Sequence, residues 1–191
     1  PGPNGATWSG CRSPAERPVP QHGYRCRLME FPAATERVIA AAAERGLTLQ
    51  IRSYPAGTRT AADAAAAIGC DVAAIVKSLV FVVDDEPVVA LIPGDLRLDP
   101  QKLARTLGGS RAQRADLAEV RRATGYAAGG TPPFGHATEL PVLADEQLRR
   151  FDEVWAAAGT PTTVFPIAPV DLVTAAGARW ADLTPPAATE G

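Results

Sequence analysis

Side chains that bind metals, form disulfides or attack carbonyls are scarce in this chain, which has three cysteines, two histidines and one methionine in 191 residues. Cys11, Cys26 and Cys70 make an odd set with no paired framework, which excludes the disulfide-stapled class and suits a reducing compartment. Cys11, His22 and Cys26 match no zinc spacing and lack a fourth ligand, so no metal is expected. A formal net charge of -2 argues against broad electrostatic binding of DNA, although it leaves room for a pocket that takes one nucleotide end. No run approaches the roughly 20 apolar residues of a membrane span, so no membrane partner is expected. The chain does not open on an apolar signal segment, and the expected location is cytoplasmic. It holds no Walker loop and no Gly-rich dinucleotide fingerprint, and no organic cofactor is expected either.

Lysine is also rare. Only Lys77 and Lys102 stand among 19 basic residues. Lys77 interrupts the most apolar run of the chain, residues 73–83, whose β-branched and aromatic composition predicts a central strand covered on both faces. A side-chain period of two puts Ile75, Lys77, Leu79, Phe81 and Val83 on one face. An ammonium in that company must reach solvent at a strand end, find a partner or sit in a pocket, because burying it bare is costly.

Elsewhere the pattern predicts short elements. A helix is expected over 34–45 with Thr35 as N-cap and Gly46 as stop, then a half-buried strand over 47–54. Thr60 caps a helix over 61–68 with Asp63 in its first turn, and Gly69 ends it. Residues 84–87 join the lysine strand to a second apolar run, 88–92, as an antiparallel hairpin. Asp99 followed by Pro100 starts a helix to Leu107. Short strands near 110–113, 141–144, 153–156 and 162–165 alternate irregularly with helices over 116–124 and 168–176, and residues 179–182 end the core. Such a pattern predicts an α+β fold, a single domain over 31–184 with a mixed, mostly antiparallel sheet. Residues 1–30 show no periodicity and read as a disordered extension, and 185–191 as a tail.

Residues 125–136 form the second landmark. Gly129 and Gly130 let a ligand approach the main chain, and Pro132 and Pro133 stiffen the second half of the loop. A rigid loop with free N–H groups can hold a carbonyl or an oxyanion. The same composition also suits a structural corner, and His136, taken singly, suits loop packing better than base catalysis.

These blocks carry a resemblance. The stretches Thr60 to Ala65, Ile75 to Phe81, Gly94 to Asp99 and Gly125 to His136 fall in the order found in the YbaK family, free-standing relatives of the prolyl-tRNA synthetase editing domain. Phe165-Pro166 and the stretch Ala178 to Leu183 are similar to its C-terminal part. The resemblance implies a barrel-like sheet with surrounding helices, and hydrolysis of mischarged aminoacyl-tRNA. The expected substrate is tRNA(Pro) carrying a small amino acid such as Ala or Cys, bound by its 3′ acceptor end. It implies that Lys77 is the residue most tied to activity; Lys77 is expected to anchor the terminal phosphate or ribose, and Gly130 with neighbouring amides to hold the carbonyl as the second catalytic position. The loop residues Gly129, Thr131, Pro132, Pro133, Phe134, Gly135 and His136 would border the aminoacyl pocket. Tyr54, Thr60 and Ser78 are expected as pocket walls, though each also has a structural role as strand end, helix cap and strand filler. Prolyl-tRNA synthetase is the implied protein partner.

An aminoacyl ester is already activated, so hydrolysis asks for positioning, oxyanion stabilisation and a water rather than a Ser/His/Asp triad, of which the sequence shows none. Two other readings compete. The chain could be a non-catalytic tRNA- or nucleotide-binding module, or an interaction protein that docks on a synthetase.

Overall fold

The computed structural model describes residues 31–54 and 60–185. The expected extension over 1–30, with Cys11, His22 and Cys26, and the tail beyond Pro185 lie outside the described residues. Two sheets and five α-helices make up the fold. The larger sheet has the order β4-β2-β3-β5-β8, with β2 (Val76–Val83) and β3 (Glu86–Pro93) at its centre. Strands β4 (Ala112–Arg114), β2 and β3 pair antiparallel, whereas β3, β5 (Val142–Asp145) and β8 (Arg179–Ala181) pair parallel. The smaller sheet is antiparallel, in the order β1-β7-β6, from Arg52–Ser53, Thr163–Ile167 and Val154–Ala157. One parallel bridge, Ile75 to Trp155, joins β2 to β6. The expected α+β class and mixed, mostly antiparallel pairing are therefore found, but the sheets do not close into a barrel.

Local chemistry accounts for most boundaries. Thr60 and Asp63 form a reciprocal capping box at the start of α2 (Ala61–Ile68), and Gly69 closes that helix in the left-handed conformation at φ 82°. The Asp99 carboxylate accepts from the N–H groups of Gln101 and Lys102 to start α3 (Pro100–Thr106). Asp116 and Gly125 bracket α4 (Leu117–Thr124) in the same way. The β2–β3 hairpin turns on Asp84 and Asp85, both at positive φ (47° and 74°), as a two-residue hairpin loop requires.

Three expectations change. Thr35 is not a cap: Pro32 precedes α1 (Ala33–Ala43), and Thr35 is buried with its hydroxyl 3.0 Å from that of Thr163. The strand expected over 47–54 is reduced to the pairing of Arg52 and Ser53 with β7 and the Tyr54 N–H on the Thr162 carbonyl, although Leu47, Leu49 and Ile51 do turn inward as the alternation predicts. The lysine strand begins at Val76, because Asp71 caps a 3-10 turn over Val72–Ala74 instead.

β2 is apolar on both faces for a visible reason. Val76 and Val80 enter the main core, with β3, β5, α1 and α5 (Pro169–Ala176). Leu79, Phe81 and Val83 enter a second core against Leu103 and Ala104 of α3. A third cluster, Ala64, Ala65, Ile75, Trp155 and Val164, seats α2 on the junction of the sheets.

Candidate functional site

A cleft of about 750 Å³ opens where the two sheets diverge. Its floor is β2 from Val76 to Val80, where the β2–β4 ladder, paired from Phe81 to Val83, reaches no further than the Ala115 N–H on the Val80 carbonyl. Ala157 and Val164 form one wall, with Trp155 behind, and the first turn of α2 forms another. The turn between β4 and α4, from Arg114 to Leu117, and the backbone at Ala128 and Gly129 complete the mouth. The lining is mostly apolar with a few polar groups, as small-ligand sites commonly are.

Lys77 stands on this lining, half-buried. Its Nζ donates to the Leu96 carbonyl, in the loop that leaves β3. That loop lies tight against the start of β2: a Cβ on Gly94 would come within 2.2 Å of the Val72 carbonyl oxygen. Burial pushes the Lys77 ammonium below the usual lysine range; Asp95 pulls it up, and Arg97 and Arg114 push it further down. The lysine is therefore neither a free surface cation nor one half of an ion pair. It is a partly desolvated charge held on a carbonyl beside a cleft, with two arginines in its field.

The other expected site residues divide. Thr60, Ser78, Gly129 and Thr131 line the cleft with Lys77. The Thr60 hydroxyl is already engaged as the α2 cap. Gly129 sits exposed at φ 85°, where an added Cβ meets nothing within 4 Å. Gly130 is buried behind it, and its N–H donates to the Ala127 carbonyl at 3.0 Å, so that donor is not free to hold a substrate carbonyl as expected. A Cβ on Gly130 would lie 2.7 Å from the Thr160 Cα, which explains why glycine is needed there.

Pro132, Pro133, Phe134, Gly135 and His136 do not reach the cleft. The Tyr126 hydroxyl donates to the Gly135 carbonyl at 3.0 Å, Phe134 packs on Phe165 with ring centroids 5.9 Å apart, and Arg37 lies over the Tyr126 ring. His136 donates from Nε2 to the Pro132 carbonyl at 2.9 Å, and burial holds its imidazole below the usual histidine range. This half of the loop is a packed corner, not a pocket border. Tyr54 also stands outside the lining, against the third hydrophobic cluster.

Arg114, Asp116, Leu117 and Trp155 are site residues that the sequence reading missed. Leu117 had a misleading signal: its spacing to Val120 and Thr124 places it on the buried face of α4, yet it is 75% exposed at the cleft mouth.

Among the described residues no nucleophile and base meet in the cleft. Ser78 Oγ has no hydrogen-bond partner, His136 is held elsewhere, and burial raises the Cys70 thiol above its usual range. Among the described residues no group of three or more His, Cys, Asp or Glu side chains could hold a metal, and no helix is long and apolar enough to cross a membrane.

Comparison with known proteins agrees with this geometry. The model of the aminoacyl-tRNA editing domain matches residues 55–175. A crystal structure described provisionally as a trans-editing enzyme for prolyl tRNA synthetase superposes with a TM-score of 0.77 and 44% identity, covering 82% of this chain and 99% of that one. EbsC of Enterococcus faecalis, provisionally named a Cys-tRNA(Pro)/Cys-tRNA(Cys) deacylase, is 29% identical over 126 residues, or 65% of this chain and 77% of that protein. A proline–tRNA ligase of Geobacter sp. (strain M21) is 40% identical over 92 residues, which are 48% of this chain and 16% of the ligase.

Proposed function

The chain belongs to the aminoacyl-tRNA editing domain family, and from that premise we propose that it is a trans-acting deacylase that hydrolyses mischarged aminoacyl-tRNA. The substrate of this reading is tRNA(Pro) carrying a small amino acid such as Ala or Cys, of which Cys on tRNA(Pro) is the one in a relative's name. The observation that carries this reading is the Lys77 ammonium, partly desolvated and in the field of Asp95, Arg97 and Arg114, on a cleft where no nucleophile and base pair up among the described residues.

In this reading a water attacks the ester carbonyl carbon, and the bond from that carbon to the ribose oxygen breaks. The water's proton ends on the ribose oxygen, releasing the free amino acid and an uncharged tRNA. Lys77 and Arg114, both on the cleft lining, suit the terminal phosphate or ribose and fix the ester relative to the cleft. The Gly129 N–H is hydrogen-bonded to nothing else among the described residues and borders the cleft, which suits it to the developing oxyanion in place of Gly130. The apolar walls limit how large an aminoacyl group enters.

Single-turnover hydrolysis of tRNA(Pro) charged with Ala, Cys, Ser, 2-aminobutyrate or Pro tests the proposal, with wild type beside Lys77→Ala. Release of one or more small amino acids that depends on Lys77 is the expected result. A folded protein that releases none of them overturns it. Association with prolyl-tRNA synthetase is a separate part of the proposal, supported by the matching segment inside the ligase and checked by comigration of the two proteins. The reading places the protein in the cytoplasm, where aminoacyl-tRNA is made and used.

A further inference from the structure

The two edges of β2 differ in status. Toward β3 the strand is paired over its whole length, from Val76 with Pro93 to Val83 with Glu86. Toward β4 it is paired only from Phe81 to Val83. The Val80 carbonyl accepts from the Ala115 N–H at 3.1 Å, and the opposed Val89 donates to the Pro141 carbonyl at 2.9 Å. Val80 and Val89 therefore turn their main-chain groups away from each other, and alternation by two residues does the same for Ser78 and Leu91. The N–H and C=O of Ser78 thus point out of the ladder, into the cleft.

Among the described residues no strand covers them there. β6 touches β2 at the Ile75–Trp155 bridge and then leaves it, while β4 stops short of Ser78. The Ser78 hydroxyl is, in addition, the one buried side-chain polar atom without a partner among the described residues. Two acceptors with nothing to accept meet on one residue of the cleft floor, where unmet hydrogen-bonding capacity asks for a ligand group. Lys77, next along the chain, does not compete, because its main chain pairs with Ile92 and its ammonium is held by Leu96.

Resting on the deacylase reading, we propose that Ser78 recognises the free α-amino group of the aminoacyl ester, its main-chain carbonyl and its hydroxyl accepting the amino protons. A primary amino group is common to every aminoacyl-tRNA and is missing from esters whose nitrogen is acylated, such as peptidyl-tRNA. The open strand edge would make the site blind to which amino acid is present at this point, while refusing chains in the course of synthesis. Selection by side-chain size then falls to the apolar walls.

The test uses amide-linked 3′-alanylamino-3′-deoxyadenosine, which resists hydrolysis, beside its N-acetyl and its lactyl counterparts. Each is titrated into the full ¹⁵N-labelled chain and followed by NMR. We expect the free-amine ligand to shift the Ser78 amide and to bind at least about tenfold more tightly than the other two, as loss of a buried donor implies. Equal affinities, an unmoved Ser78 amide or no binding by any of the three would overturn the inference. Hydrolysis of aminoacylated tRNA(Pro) by the same sample shows separately whether the deacylase reading stands.

Discussion

Ile75 and Trp155 are bridged in parallel across the two sheets, and this pair sets the apex of the cleft. Beyond it β2 and β6 separate, so five consecutive residues of β2, from Val76 to Val80, become a floor instead of part of a barrel wall. Trp155 is itself buried and held from outside by the Arg52 guanidinium, 4.7 Å from its ring centroid. The site exists because a sheet that would otherwise continue is interrupted.

Lys77→Ala is expected to lower the single-turnover rate about a hundredfold or more, as removal of one electrostatic donor does in acyl-transfer sites. The fold should survive, since the lysine makes one side-chain hydrogen bond to a loop carbonyl. Circular dichroism and quench-flow on the same samples separate the two effects.

The depressed Lys77 titration has a pH consequence. Activity that needs the ammonium should fall on the alkaline side below the range of an ordinary lysine, and Lys77→Arg, which stays charged, should lose that limb. The sign for stability is the opposite. Between the lowered folded value and the unfolded value the unfolded chain binds more protons, so this group makes the protein more stable as pH rises through that window. A pH–rate profile corrected for spontaneous ester hydrolysis, with urea melts across the same range, checks both.

Gly130→Ala should destabilise the protein by about 1–3 kcal/mol, because its Cβ would meet the Thr160 main chain at 2.7 Å. Gly129→Ala meets open space and bears only the left-handed backbone penalty of about 1–2 kcal/mol. Urea unfolding of both variants decides whether packing outweighs backbone conformation in this loop.

Ser78→Ala is expected to stabilise the unliganded protein. It removes a buried hydroxyl without a partner, whose desolvation costs about 1–3 kcal/mol. At roughly 2–4 °C per kcal/mol for a chain of this size, the gain is readable as Tm. Weaker binding of the free-amine ligand in the same variant would mark the hydroxyl as a stability cost kept for recognition.

Asp84→Ala should cost about 1–2 kcal/mol with little change in hydrolysis. Its carboxylate accepts from the N–H groups of Ser110 and Arg111, at 2.6 and 2.9 Å, and ties the hairpin to β4 far from the cleft. Equal rate constants beside a lowered urea midpoint are the expected pair of readings.

Local signals made most of the fold legible in advance. The capping box at Thr60 and Asp63, the Asp99-Pro100 start, the glycine stops at Gly69 and Gly125 and the hairpin around Asp84 act within a few residues of themselves. The features that stayed hidden depend on distant partners. Thr35 has the chemistry of a cap but is taken by Thr163, 128 residues away. The Pro132 to His136 stretch has the composition of a binding loop, yet Tyr126 and Phe165 bury it as a corner. Leu117 follows the helical period of a core residue, and only the end of β4 shows that nothing covers it. Within the site, Lys77 was conspicuous as a charge in an apolar strand. The open edge at Ser78 was not, because an unpaired strand edge has no composition of its own.

The threonine turn after β6 has a consequence for where the working unit of this protein ends. Thr160 lies 2.6 Å from Thr163 by their hydroxyls, Thr163 lies 3.0 Å from Thr35, and a Cβ on Gly159 would come within 2.6 Å of the Ala34 carbonyl oxygen. The same turn backs Gly130, so helix α1 buttresses the glycine loop through a short hydroxyl chain. Helix α1, β1 and β8 all fall outside residues 55–175, the span that the editing-domain model matches. The mechanical unit is therefore longer than that matched span. A chain trimmed to residues 55–175 would keep its cleft-lining side chains and lose the scaffolding that holds them in register.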